Sequence, residues 1–165
     1  ALRSLLPREA KVVTVVRDPI ARSVSALRRA RRTNPRFLGK DLEEILDFEP
    51  FTRGMIEDYQ TQVFSFRTVD EVKSVTLPLQ LRPWRLEIAL QNLRECDLVT
   101  TTARYSALEQ SLNALGSPHG ALRHDNASKP QDPDPSPALL DRLHELLQMD
   151  IELFRLAEAQ IIGSG

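Results

Sequence analysis

The residues best suited to chemistry lie in one short segment, "VVTVVRDPIARSVSALRR", which spans residues 12–29. Arg17 follows a run of valines and a threonine, and Ser25 comes eight positions later. Arginine binds phosphate or sulfate through two parallel hydrogen bonds, and a serine hydroxyl adds a short neutral donor. This combination of residue types predicts a site for a tetrahedral anion.

A strand followed directly by a helix is predicted to carry these two residues. The Val-rich run Lys11–Val16 is typical of a strand buried on both faces of a parallel sheet. Asp18 predicts the N-cap of the next helix, and Pro19 fits the first turn of that helix. Arg17 is therefore expected at the carboxyl end of the strand, where ligands gather in such sheets.

Spacing along the predicted helix separates a polar face from an apolar one. Arg22, Ser25 and Arg29 are spaced i, i+3 and i+7, so they are expected on one face. The apolar face consists of Ile20, Val24 and Leu27. Because the Asp18 carboxylate repels an anion at the helix N-terminus, the anion is expected beside the helix, between Arg17 and Ser25. The alternative is that the arginines form a solvated face and that Ser25 has no role.

The other segments predict alternating strands and helices. Further helices are predicted from Asp41 as a cap, over 51–64, from Trp84 to 96, over 103–116 and over 138–162. Residues 97–102 predict a second strand, 69–84 an irregular segment and 118–137 a proline-rich loop. This order indicates one domain over 1–165, an α/β fold with a parallel sheet flanked by helices and a helix-rich C-terminal half.

Composition limits the class of protein. The 165 residues are 41% hydrophobic, which is enough for one domain with a core. A net charge of −1 and 5% aromatic residues argue against a nucleic-acid-binding domain built on 22–36. The longest apolar run is too short for a membrane span, and residues 1–10 lack a signal-peptide pattern. The single cysteine excludes an internal disulfide and any multi-cysteine metal site.

The Arg-Asp-Pro triplet at 17–19, with a further arginine at 22 and the serine at 25, resembles the 3′-phosphate-binding segment of sulfotransferases. These enzymes use 3′-phosphoadenosine 5′-phosphosulfate (PAPS). Four later segments resemble the bacterial and carbohydrate branch of this family, in the expected order. They are "DYQTQVFS" (58–65), "ALQNLRECDLVTTTARYSALEQSLNALG" (89–116), "HDNASKP" (124–130) and "LLQMDIELFRLAEAQ" (146–160). The resemblance covers most of 11–162 and implies a P-loop-NTPase-like sulfotransferase fold.

The resemblance also implies an activity and a set of binding residues. Arg17 and Ser25 would hold the 3′-phosphate of PAPS, and Asn126, Ser128 and Lys129 would stand in a loop that folds over the nucleotide. A surface loop rich in Pro and Asp also contains such residues for turn formation alone. The implied reaction transfers a sulfuryl group from PAPS to a hydroxyl of a carbohydrate or small molecule, with no metal.

Two parts of such an enzyme are not found in this sequence. None of the six glycines forms a Gly-x4-Gly-Lys-Ser/Thr loop, which would supply N–H donors and a lysine to the 5′-phosphosulfate. The branch also has Gly and Glu where this chain has Thr100 and Ala103. Its catalytic base lies upstream of the first strand, whereas the histidines here lie downstream, at His119, His124 and His144. We therefore expect the C-terminal portion of a sulfotransferase domain, inactive alone.

A second interpretation keeps the binding site and removes the catalysis. The chain would then be a PAP- or nucleotide-binding module of a degenerate relative, where PAP is the PAPS product without its sulfuryl group. Low cysteine content fits the cytoplasm of a bacterium, which is the expected compartment, and also fits a Golgi lumen.

Overall fold

The fold is seen in a computed structural model, which describes residues 7, 9–68, 71, 83–104, 108, 110, 112–113 and 134–163. The strands are β1 (Val13–Val16) and β2 (Leu98–Thr101). The helices are α1 (Pro19–Thr33), α2 (Leu42–Leu46), α3 (Glu49–Met55), α4 (Tyr59–Phe64), α5 (Pro83–Arg94), α6 (Pro137–Leu146) and α7 (Gln148–Gly163). Short 3₁₀ turns cover Pro35–Phe37 and Thr102–Arg104. The described residues are thus rich in helix around a small parallel sheet, in agreement with a partial α/β fold.

The two strands pair in parallel, as predicted, but β1 is not buried along its whole length, since Val16 is buried and Val13, Thr14 and Val15 are partly exposed. The register runs from Val13 opposite Leu98 to Val16 opposite Thr101. Both strands begin later than predicted, and at Val12 the carbonyl pairs with the backbone of residues 97 and 98 whereas the N–H is taken by a side chain. The Asp97 carboxylate accepts the Val12 N–H at 2.9 Å and lies 3.1 Å from the Lys11 ammonium. The sheet therefore begins only after this carboxylate.

Side-chain caps fix where the first two helices begin, and both caps were predicted. Asp18 precedes α1 and accepts the Ala21 N–H at 2.7 Å, with proline in the first turn. Asp41 and Glu44 form a reciprocal capping box at the start of α2, at 2.8 and 3.0 Å. Such caps satisfy N–H groups that a helix N-terminus leaves without partners.

Two segments that were each predicted as one helix form two helices, which corrects the sequence prediction. The segment 51–64 divides into α3 and α4 at Asp58, whose φ of 40° lies in the left-handed region. The segment 138–162 divides into α6 and α7 at Leu147, which is fully buried. Neither segment contains a breaking residue at these points, so tertiary contacts described below cause both breaks.

Apolar side chains pack into two clusters, and the chain passes from the first at Ile56 to the second at Phe64. The first cluster joins α1, α2 and α6, and the second joins β1, α5 and α7. The first is centred on Val24, Leu27, Phe37, Ile45, Ile56, Leu139, Leu143 and Leu147. The second consists of Val16, Ala89, Leu93, Leu153 and Ala157. Burying one leucine side chain contributes about 1.5–3 kcal/mol, so these clusters provide the main stabilisation.

Several predictions fall on other parts of the chain. Most of 103–116, of the irregular segment 69–84 and of the loop 118–137 lies outside the described residues. The same holds for Asn126, Ser128 and Lys129. Among the described helices, none is both long enough and apolar enough to cross a bilayer.

Candidate functional site

Arg17 and Ser25 line the same cavity, although they come from different elements. Arg17 directly follows β1, and Ser25 lies in the second turn of α1. The cavity has a volume of about 490 Å³. Among the described residues, its wall also includes Asp18, Ile20, Ala21, Val24, Arg28, Asp134, Pro135 and Leu140. The site thus combines cationic and hydroxyl donors with apolar walls.

The cavity runs from the N-terminal end of α1 along one side of the helix. Ala21, Ser25 and Arg28 are spaced i, i+4 and i+7 and therefore follow one another along the same face. The Asp18 carboxylate at the tip is held by the Ala21 N–H, 2.7 Å away. The helix N-terminus is already capped by this negative group, so the donors available to an anion are the side chains beside the helix.

Arg28 is a cavity residue that the sequence analysis missed. Its side chain is 14% exposed, and its Nη2 lies 3.9 Å from the carboxylate of the fully exposed Asp134. An ion pair with an exposed partner contributes little to stability. The signal was present in the sequence, since residues 21, 25 and 28 share a helical face, but Arg28 stands in the run "RRARR" (28–32), where its charge does not distinguish it from its neighbours.

Arg22 and Arg29 do not line the cavity, which corrects the predicted polar face. The Arg22 guanidinium donates to the Met55 carbonyl at 2.9 Å and lies 3.9 Å from the centre of the Tyr59 ring. Burial lowers the pKa of Arg22, and the charge of Asp150 opposes that shift. Arg29 is exposed. A long arginine side chain reaches far from its Cα, so spacing alone did not fix where Arg22 would bind.

The backbone of Arg17 is held by a single side chain from α4. The Gln60 amide accepts the Arg17 N–H at 2.9 Å through Oε1 and donates to the Arg17 carbonyl at 2.9 Å through Nε2. Gln60 is buried, with 6% of its surface exposed. The segment 58–65 contributes to the family resemblance, but no role was predicted for Gln60. Nothing local could reveal it, since the two residues are 43 positions apart.

Two buried carboxylates, Asp58 and Asp150, each cap the helix to which the other belongs. Asp150 accepts the Gln60 N–H at 3.0 Å and the Thr61 N–H at 2.6 Å, at the start of α4. Asp58 accepts the Asp150 N–H at 2.8 Å, at the start of α7. This exchange is the tertiary cause of both helix breaks, because each carboxylate satisfies N–H groups that a continuous helix would pair internally.

Burial shifts the pKa of both carboxyl groups. It raises the pKa of Asp58 to about 7, and the nearby charge of Asp150 adds to the increase while the Asp150 N–H opposes it. Burial also raises the pKa of Asp150, against the effect of the Thr61 and Gln60 N–H groups and the charge of Arg22. The two N–H bonds from the start of α4 favour the ionised form of Asp150 and so oppose this increase.

The other candidate residues do not join the cavity in the described structure. His144 is exposed on α6, with its Nδ1 2.8 Å from the Leu140 carbonyl oxygen. His119 and His124 lie outside the described residues. Across the described ranges, no three His, Cys, Asp or Glu side chains are grouped as metal ligands.

No protein-family model, curated protein or solved structure matches this chain. The function proposed below is therefore argued from the residues of the chain and their geometry.

Proposed function

We propose that this chain is the 3′-phosphate-binding portion of a PAPS-dependent sulfotransferase of the P-loop-NTPase-like fold. The proposed enzyme transfers a sulfuryl group to a hydroxyl of a carbohydrate or small molecule. The observation that carries the proposal is the shared cavity of Arg17 and Ser25, reached from the consecutive elements β1 and α1. These are the two residues that the sequence resemblance assigns to the 3′-phosphate.

The donor chemistry of the cavity fits a phosphate ester. Arg17, Ser25 and Arg28 all line the cavity, so two arginines and one hydroxyl-bearing residue belong to the same site. Arginine binds phosphate oxygens in a bidentate manner, and the hydroxyl can donate to a third oxygen. Two carboxylates also line the cavity, but Asp18 is engaged as the helix cap and Asp134 lies 3.9 Å from Arg28. A phosphate in the cavity would compete with the exposed Asp134 carboxylate for the charge of Arg28.

In the proposed reaction these residues act on the nucleotide and not on the sulfur. An acceptor oxygen attacks sulfur, the bond from sulfur to the 5′-phosphate oxygen breaks, and PAP leaves while the hydroxyl proton passes to a base. Arg17 and Ser25 bind the 3′-phosphate, which does not react. Such remote binding positions the sulfuryl group and selects PAPS over nucleotides that lack the 3′-phosphate.

Calorimetric titration of PAP against the chain tests this proposal. Loss of one charged, bidentate partner costs about 1.5–3 kcal/mol, so Arg17→Ala should weaken PAP binding at least about tenfold. The matched control is Arg29→Ala, an exposed arginine of α1 that is not among the residues lining the cavity, and it should stay within about twofold of the parent chain. Unchanged PAP binding by Arg17→Ala, or no PAP binding by the parent chain, contradicts the proposal.

A further inference from the structure

We propose that Gln60 is a positioning residue for the anion site, acting through the backbone of Arg17. The inference rests on the proposed function, because it assumes that Arg17 binds the 3′-phosphate. It assigns a role to a side chain that itself does not line the cavity. The contacts, burial and strand geometry of Gln60 carry the argument.

Gln60 completes the edge of β1 that β2 leaves unpaired. The Val12 carbonyl accepts the Leu98 N–H at 3.2 Å, so even-numbered residues of this segment present their backbone groups to β2. Backbone groups alternate between the two edges of a strand, and Arg17 therefore presents its N–H and carbonyl to the opposite edge. There the single amide of Gln60 bonds to both groups, each at 2.9 Å. The Gln60 side chain thus makes the two backbone hydrogen bonds that a neighbouring strand would otherwise make.

Gln60 is itself held firmly enough to fix another residue. Its backbone N–H donates to Asp150 at 3.0 Å, and the adjacent Thr61 N–H donates to the same carboxylate at 2.6 Å. Gln60 is 6% exposed and Thr61 is fully buried. The amide therefore connects α7, through the start of α4, to the residue that begins the anion site.

Fixing the Arg17 backbone affects binding because the Arg17 side chain is exposed. An exposed arginine loses rotamer freedom when it binds an anion, and any freedom of its backbone adds to that cost. Two hydrogen bonds to the peptide groups on either side of its Cα limit the direction in which the guanidinium can extend. A binding group held by such outer contacts needs less reorganisation when its ligand arrives.

The test compares two buried glutamines of the same helix. Gln60→Met removes both bonds to Arg17, whereas Gln62→Met removes an amide that bonds only to the Glu57 and Arg53 carbonyls, at 2.7 and 3.4 Å. Both glutamines are 6% exposed. Calorimetry should show PAP binding about tenfold weaker for Gln60→Met and within about twofold for Gln62→Met. Binding of 5′-AMP, which lacks the 3′-phosphate, should change by less than twofold in both.

A double-mutant cycle separates positioning from a general structural effect. If Gln60 acts through Arg17, then Gln60→Met should have no further effect on PAP affinity in the Arg17→Ala chain. If Gln60→Met fails to fold by circular dichroism, Gln60→Glu replaces it. That variant keeps an acceptor for the Arg17 N–H but loses the donor to the carbonyl, and it should weaken PAP binding at least about threefold.

The possible failures can be told apart. If the parent chain binds PAP no better than 5′-AMP, the proposed function fails and this inference fails with it. If Arg17→Ala loses PAP binding while Gln60→Met and Gln60→Glu retain it, the proposed function stands and Gln60 has no positioning role. Equal additional losses from Gln60→Met with and without Arg17 also overturn the inference.

Discussion

Ser25 is a short polar residue of the cavity wall, and its hydroxyl can donate one hydrogen bond to the proposed anion. A neutral hydrogen bond contributes about 0.5–1.5 kcal/mol, so Ser25→Ala should weaken PAP binding about two- to tenfold in calorimetry. The control is Ser23→Ala on the opposite side of α1. Ser23 is fully buried and its Oγ has no hydrogen-bond partner among the described residues. A larger loss for Ser23→Ala than for Ser25→Ala would contradict this assignment.

At the scale of single residues, the sequence predicts only those roles that depend on neighbours close along the chain. Arg17, Asp18 and Ser25 could be identified because a strand end, a helix cap and helical spacing are all local properties. Arg28 is equally local, but its charge is indistinguishable in the sequence from that of its arginine neighbours. Gln60 could not be found in this way, because its role depends on the strand edge that it faces.

At the scale of elements, the helix starts were predictable and two helix breaks were not. Asp18 and Asp41 cap the helices that directly follow them, so residue type and position reveal them. The breaks between α3 and α4 and between α6 and α7 arise from carboxylates some 90 positions away in sequence. Helix propensity is a weak preference that such tertiary contacts override.

The buried carboxylate pair should make stability depend on pH. With a folded-state pKa of about 7, Asp58 binds its proton more tightly in the folded chain than in the unfolded one. Its contribution to stability is therefore fully present below the unfolded pKa and is lost as the pH rises through about 7. A shift of one pKa unit corresponds to about 1.4 kcal/mol.

Asp58→Asn tests this dependence without disturbing the turn. Asparagine tolerates the left-handed φ of 40° and keeps an oxygen to accept the Asp150 N–H. Relative to the parent chain, its free energy of unfolding in urea should be similar at pH 4 and higher by at least about 1 kcal/mol at pH 8. Asp141→Asn, an exposed carboxylate of α6, is the control and should show no such trend. A difference that is constant from pH 4 to pH 8 would exclude Asp58 as the titrating group.

At the scale of the whole molecule, the chain passes from one apolar cluster, at Ile56, to the other, at Phe64, through a polar layer. The layer consists of Arg17, Gln60, Asp150 and Asp58, joined by the hydrogen bonds described above. The order of strands and helices was predictable from hydrophobic periodicity, and so was the parallel sheet. The division of the core was not, because it follows from where α4 crosses between the clusters, and no periodic pattern in 51–64 encodes that crossing.

The polar layer should make both clusters unfold together. Leu143 is fully buried in the first cluster, and Leu143→Ala should lower stability by about 2–5 kcal/mol through lost burial and a cavity. Trp84, the only tryptophan, lies on α5, whose other side chains pack in the second cluster. If α4 and α7 couple the clusters, Trp84 fluorescence and far-ultraviolet circular dichroism should report the same lowered midpoint.

The exposed Leu38 provides the control for that measurement. It is 61% exposed, and Leu38→Ala should change the stability by no more than about 0.5 kcal/mol. A Trp84 transition that stays at the midpoint of the parent chain in Leu143→Ala, while circular dichroism shows an earlier one, would mean that the clusters unfold separately. In that case the Asp58–Asp150 exchange would cap two helices without coupling the clusters, and the Gln60 contact would connect Arg17 only to the second cluster.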